Sequence, residues 1–326
     1  MNNYVAISIK NPIKSKCGDA CFADKIIVSG NEYVLLIVAD GVSNAPKDWL
    51  ASCSTIAFIS EELTKSNMLI AEALKYAIEI ANENILRGIE DTFGMLSTLS
   101  VAVISEKDKK LWWTNVGDSR IFGLKGGNWQ QFTTDDSTSI PYKENGKMKL
   151  QNGVPIMMNA LTKAIGQSNL EIIVAEIMTD GYEAFALASD GFYGLYGFER
   201  YTSLLISQID LNKAIHKLQE TIISEITDDA SIAVVRLQTS DNVDLKKMLL
   251  YTDYEKIPIV TIFNHLEIEI SNAIIKKDTE YTEKLLKLMI KRNIFYEKPK
   301  MIEILELMIK YDSPHRDKII KIIRAL

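Results

Sequence analysis

The 326-residue chain is poor in the residues that build several familiar kinds of site. It has three cysteines, Cys17, Cys21 and Cys53, too few and too odd in number for a disulfide framework. Cys17 and Cys21 read as two buried, reduced thiols, not as a metal pair. The three histidines, His216, His265 and His315, all lie beyond residue 215, so the first 215 residues cannot complete a Ser-His-Asp or Cys-His site on their own. Zinc sites of the HExxH or Cys/His type have no ligand spacing to rest on. Any metal would therefore be held by oxygen. Long apolar runs are missing too: VLLIVA at 34–39 stops far short of the ~18 residues a membrane helix needs. The N-terminal MNNYVAISIK has no basic region leading into an apolar stretch, so no signal peptide is read there and the expected location is the cytoplasm. Nor is there a basic excess. Lys and Arg total 37 against 43 Asp and Glu, a net of −6, which speaks against a nucleic-acid binder.

What is present is the composition of a folded protein, 47% hydrophobic and 25% charged, with length for about two domains. Apolar, β-branched runs at 4–9, 26–29, 34–39, 99–104, 111–115, 120–124, 172–177, 184–188 and 231–237 read as strands. Turn chemistry such as KGGN at 125–128 joins some of them as antiparallel hairpins. Helices are expected over 48–63, 68–87 and 211–226, the second carrying Leu69, Ala73, Tyr76, Ala77 and Ile80 near the 3.6 period. Strands and helices come in blocks, so the class is α+β. After the polar QTSDN at 238–242 the pattern turns helical throughout, with stripes such as Leu285, Leu286, Met289 and Ile290. Residues 241–326 hold 16 basic and 14 acidic residues, leaving 21 and 29 for residues 1–240. A boundary near 240 therefore divides a mixed domain, 1–240, from a small all-α module, 241–326. The module's stripes read as helix-packing seams. Whether it binds a protein partner, self-associates or caps the first domain stays open.

The chemistry lies in acids at strand ends. YVLLIVA ends in Asp40-Gly41, AFALAS ends in Asp190-Gly191, and SIAVVRL is entered from Asp228-Asp229. A single Asp-Gly after a strand reads as a turn in which glycine supplies positive φ. Three carboxylates on buried-type strands, with no surplus of Lys or Arg beside them, are costly unless a cation satisfies them. Converging carboxylates without histidine suit a hard cation such as Mg²⁺ or Mn²⁺. Two such ions can activate a water and clamp a phosphoryl group, so the residues themselves point to a metal-dependent hydrolase of unnamed substrate.

Along the chain run SKCGDACFAD at 15–24, ADGVSN at 39–44, MLSTLSVAV at 95–103 and NVGDSRIFGL at 115–124, followed by FTTDDS at 132–137, LTKAIG at 161–166, ASDGFY at 188–193 and DDASIAVVRL at 228–237. That order of motifs resembles the metal-dependent serine/threonine protein phosphatases of type 2C over residues 3–238. The resemblance implies an α-β-β-α sandwich of two mainly antiparallel sheets flanked by helices. It implies hydrolysis of phosphoserine and phosphothreonine in a phosphoprotein substrate by a metal-activated water, with two Mn²⁺ or Mg²⁺ ions and a loosely held third. Asp40 would bridge two ions, with the Gly41 carbonyl on one of them. Asp190 and Asp228 would complete the first ion's ligands, Asp19 would sit near the second, and Asp135 is similar to the ligand of the third. Asp118 and Arg120 are read as structural, holding strand ends beside the site, and Asp229, at a position where the family often has Asn, as a group behind the metal ligands.

Four departures accompany the resemblance. Gly18 stands where the family has an acid, Lys14 where it has a phosphate-binding Arg, and Val42 where it has a histidine. The stretch 138–160 lacks the family's usual flap signature. Lysine keeps a point charge for phosphate and loses the bidentate fork. These losses leave open a second reading, a phosphatase-fold scaffold that binds a phosphoprotein or partner without turnover.

Overall fold

A computed structural model describes residues 3–144, 147–151, 154–195, 198–207 and 211–237. The boundary near 240 and the helical module of 241–326 lie outside the described residues. The chain opens with β1 (Tyr4–Ile9), β2 (Asp19–Val28) and β3 (Asn31–Asp40), followed by helices α1 (Asp48–Lys65) and α2 (Ile70–Arg87). Four strands come next, β4 (Leu99–Ser105), β5 (Lys110–Val116), β6 (Arg120–Lys125) and β7 (Asn128–Gln131). A segment of short antiparallel pairs runs through β8 (Ser137–Pro141), β9 (Lys143–Glu144), β10 (Lys147–Met148), β11 (Leu150–Gln151), β12 (Val154–Pro155) and β13 (Met157–Leu161). The domain closes with β14 (Ala175–Met178), β15 (Tyr182–Ala188), α3 (Asp190–Tyr193), α4 (Phe198–Ser207), α5 (Leu211–Ile222) and β16 (Ala230–Arg236).

Two five-stranded antiparallel sheets result, ordered β1-β16-β15-β6-β7 and β14-β5-β4-β3-β2. Strand β3 shows why they stack. Its seven residues from Tyr33 to Ala39 are all buried, so both faces need cover. Val34, Leu36 and Val38 point between the sheets, where they meet Ala102, Ile121, Phe185, Leu187 and Val235. Leu35, Ile37 and Ala39 point the other way, onto Ile59, Leu63, Leu74 and Ile78 of α1 and α2. On the far side α5 packs against β1, and Phe198 of α4 lies 4.4 Å, ring centroid to centroid, from Phe122 of β6. The expected α-β-β-α sandwich is present. No helix among the described residues is long and apolar enough to cross a membrane.

The expected strands and helices form, with edges that move for physical reasons. The KGGN turn joins β6 to β7 through Gly126 and Gly127 at φ 57° and 77°, the left-handed pair a two-residue hairpin needs. The second strand starts at Asp19, not Ile26, because ten cross-strand pairs with β3 carry it through a stretch whose apolar run, Ala20 to Ala23, is short and has no β-branched residue. Residues 172–174 precede β14, which is an edge strand half exposed to solvent. Strand β7, the pairs of 137–161 and α4 were not legible; β7 and β8 are exposed and lack alternation. Cys17 and Cys21 are free thiols but only partly buried, and Cys53 is exposed, a correction to the buried pair expected.

Candidate active site

The acids meet where strands of both sheets end along one edge of the sandwich. Asp19, the first residue of β2, pairs in register with Asp40, the last of β3. The Asp40 backbone is fixed on both sides: its N–H donates to Thr98 Oγ1 at 2.9 Å, and its carbonyl accepts the Thr98 N–H at 2.7 Å. Asp190 opens α3 directly after β15, and Asp118 sits in the turn between β5 and β6. The carboxyl of Asp40 lies beside those of Asp19 and Asp190, whose charges act directly on it. Asp19 also accepts the Ser189 hydroxyl at 2.6 Å, and Ser189 Oγ in turn accepts the Ser231 N–H at 2.9 Å.

The two Asp-Gly glycines have a reason other than the one the sequence suggests. Neither Gly41 nor Gly191 has positive φ. Each is there because backbone comes too close for a side chain: a Cβ on Gly41 would lie 2.0 Å from the Asp48 carbonyl oxygen, and one on Gly191 would lie 1.9 Å from that of Asp229. The second contact ties the 190 loop to the 228 loop. Gly191→Ala is therefore expected to cost about 3 kcal/mol or more of stability, read as a lower urea midpoint.

Crowding sets the electrostatics. Burial, and then the charges of Asp19 and Asp190, hold the Asp40 carboxyl well above the usual carboxylate range. Burial pushes Asp19 up to about 6, against the lowering effect of its hydrogen bonds from Ser189 and Asp40. Asp118 rises to about 6 through burial and the neighbouring Asp190, and Asp190 rises through burial and Asp228. Carboxylates that repel one another and hold protons for want of a counter-charge are a donor set suited to a hard divalent cation. Among the described residues, no group of three or more His, Cys, Asp or Glu side chains stands as a ready-made cation shell; here the carboxyls touch one another. The residue types fit Mn²⁺ or Mg²⁺.

Residues 13–223 match the family described as protein phosphatase 2C. The chain belongs to that family. A probable protein phosphatase 2C 41 of Oryza sativa subsp. japonica is 27% identical over 227 residues, covering 64% of this chain and 78% of the relative. The serine/threonine phosphatase Stp1 from Staphylococcus aureus superposes with a TM-score of 0.58 at 16% identity, covering 73% of this chain and 96% of that one. The catalytic domain of the serine threonine protein phosphatase PstP in complex with two manganese ions superposes with a TM-score of 0.54 at 20% identity, over 72% of this chain and 96% of that one.

Within this 2C-family domain the expected site residues fall into two sets. Asp19, Asp40 and Asp190 come together, with Gly41 beside them on the Ser97 bridge. Asp228, near enough to Asp190 to raise its pKa, bonds the ammonium of Lys14, which also reaches Asp229 at 3.0 Å. No cation flanks Asp228 in sequence, yet the fold delivers one from 214 residues away. Burial alone would lower the Lys14 pKa; the bonds to Asp228 and Asp229 outweigh it and raise it. Asp135 has both oxygens engaged by Arg120, at 2.9 and 2.7 Å, and the guanidinium stacks 3.9 Å over the Tyr193 ring. Tyr193 in turn donates its hydroxyl to the Asp118 carbonyl at 2.9 Å. Asp118, read from sequence as structural, places its carboxyl within the field of Asp190 and Asp135. Ser189 and Thr98 have no role of their own in the sequence reading; Ser189 adjoins the strand-end acid Asp190, whereas Thr98 precedes β4 with no acid beside it. At Gly18, a Cβ would lie 3.0 Å from Asp48 Oδ2 and 3.3 Å from Asp229 Oδ2, so an added acid there would meet two others.

Proposed function

We propose that this 2C-family hydrolase removes phosphate from phosphoserine and phosphothreonine in protein substrates, with Mn²⁺ or Mg²⁺ held by Asp19, Asp40, Asp190 and Asp228 and the Gly41 carbonyl. The observation that carries this reading is the convergence of half-buried Asp40 with buried Asp19 and solvent-facing Asp190, where each acid raises the pKa of a neighbour. The two manganese ions of the PstP complex support the choice of metal. Ions bound at such a site supply a water of lowered pKa and neutralise the phosphoryl oxygens. The chain's own contribution is to hold the acids on rigid strand ends, fixed by Thr98 and Ser189, so that little reorganisation is needed. Lys14, at the rim, offers its ammonium to the substrate phosphate. Val42 leaves that rim without an imidazole, and His216, the one histidine among the described residues, is exposed on α5.

The test is phosphate release from a phosphothreonine peptide with Mn²⁺, with EDTA, and with Asp190→Asn. Release that needs Mn²⁺ and drops at least about 100-fold in Asp190→Asn is the expected result. Mn²⁺ binding without turnover would instead favour the scaffold reading, and neither would remove the site assignment.

A further inference from the structure

Asp229 is buried, 1% exposed, and the reaction outlined above does not use it. A buried carboxylate costs several kcal/mol unless its oxygens are satisfied. Both are. Asp229 Oδ1 accepts the Asn11 N–H at 2.7 Å, while Oδ2 accepts the Gly18 N–H at 2.6 Å and the Lys14 ammonium at 3.0 Å. One side chain thus ties down both ends of the loop 11–18 and the lysine in its middle. The loop closes on itself within that clamp, through Lys14 N–H to the Asn11 carbonyl at 3.0 Å and Ile13 N–H to Asn11 Oδ1 at 3.0 Å. The Asp229 backbone meanwhile packs on Gly191, next to Asp190.

From this geometry we propose that Asp229 is a positioning residue for Lys14, and that the two act as one unit in gripping the substrate phosphate. The proposal rests on the phosphatase reading above. An ammonium is a point charge on a flexible stem and carries no directional fork of its own, so a fixed partner must aim it. Asparagine at 229 could not do this. It offers a single acceptor oxygen, and its amide nitrogen would face the N–H of Asn11 or Gly18, donor against donor. Lysine at 14 and aspartate at 229 are therefore matched.

The experiment is a double-mutant cycle on the full chain with Asp229→Asn, Lys14→Ala and both together. Its readouts are kcat and KM on a phosphothreonine peptide with Mn²⁺, inorganic phosphate binding by calorimetry, and amide hydrogen exchange over residues 11–18. Asp229→Asn is expected to raise KM about 10-fold with kcat within about 3-fold, and to speed exchange at the Asn11 and Gly18 amides. Lys14→Ala is expected to raise KM about as much while those amides stay slow. In the Lys14→Ala background, Asp229→Asn should add less than about 2-fold. Independent multiplication of the two effects, or a fall in kcat with KM unchanged, overturns the pairing. Should Asp229→Asn not fold, Lys14→Ala still decides: unchanged KM, or fast exchange of both amides, is fatal to the proposal. A wild-type chain that binds phosphate without hydrolysing the peptide removes the phosphatase reading, and the phosphate affinities of the variants then test the pair by themselves.

Discussion

Asp40→Asn is expected to reduce phosphopeptide hydrolysis by more than about 1,000-fold at saturating Mn²⁺ while leaving the metal-free protein at least as stable as wild type at pH 7. The two halves of that expectation have one origin. Asp40 is the central acid, in contact with Asp19 and Asp190 and within the field of Asp118. Its charge is the one most strongly opposed by its surroundings, so an isosteric amide relieves repulsion in the folded state. That same charge is the one a bound cation would rely on most. Backbone geometry should survive, because the Thr98 bonds to the residue 40 backbone do not involve the side chain. Activity is read as kcat, stability as the urea midpoint in EDTA. Activity within about 10-fold of wild type would mean the acids at 40 and 190 are not the metal-binding centre. A large loss of stability alongside lost activity would assign Asp40 a structural role instead.

How far the site could be read in advance depends on whether its parts are local. Asp40 and Asp190 were visible because an uninterrupted apolar run ending in an acid is an energetic anomaly that needs no partner to be noticed. The sandwich was visible for a related reason: runs such as LSVAVIS at β4 lack alternation, and a strand buried on both faces must lie inside layers. The glycines of both Asp-Gly pairs were noticed and misread. Their cause is the approach of Asp48 and Asp229 in space, which no dipeptide encodes. The Lys14 pairs with Asp228 and Asp229 were likewise out of reach, since they join residues more than 200 apart in sequence through the β1–β16 ladder. Asp118 reads from sequence as structural, holding strand ends beside the site; burial next to Asp190 gives its carboxyl an electrostatic part as well. Strands β8, β11 and β12 escaped because their side chains are largely exposed and leave no hydrophobic period.

The crowding of acids also fixes how metal and pH act together on stability. Asp19 and Asp118 move from 3.8 when unfolded to about 6 when folded, and Asp40 and Asp190 move in the same direction. A raised folded pKa means the native state binds protons more tightly than the unfolded chain. The stability these groups contribute is therefore complete below about pH 4 and is lost as pH climbs through 6. Glu176, lowered by Lys110, has the opposite sign, but it is exposed and its effect is small. A bound cation replaces the protons and abolishes the loss. Mn²⁺ at about 100 times its Kd should add ~2.7 kcal/mol per site, or roughly 5–10 °C in Tm for a domain of this size, at pH 7.5. At pH 5, where the acids keep their protons and compete with the ion, the gain should shrink to about 2 °C or less. Thermal unfolding with Mn²⁺ and with EDTA at the two pH values decides the matter. Equal gains at both pH values, or a full gain in Asp40→Asn, would place the ion somewhere other than among these carboxylates. A gain confined to neutral pH and lost with Asp40 would tie metal binding to the same buried repulsion that raises the acids' pKa values.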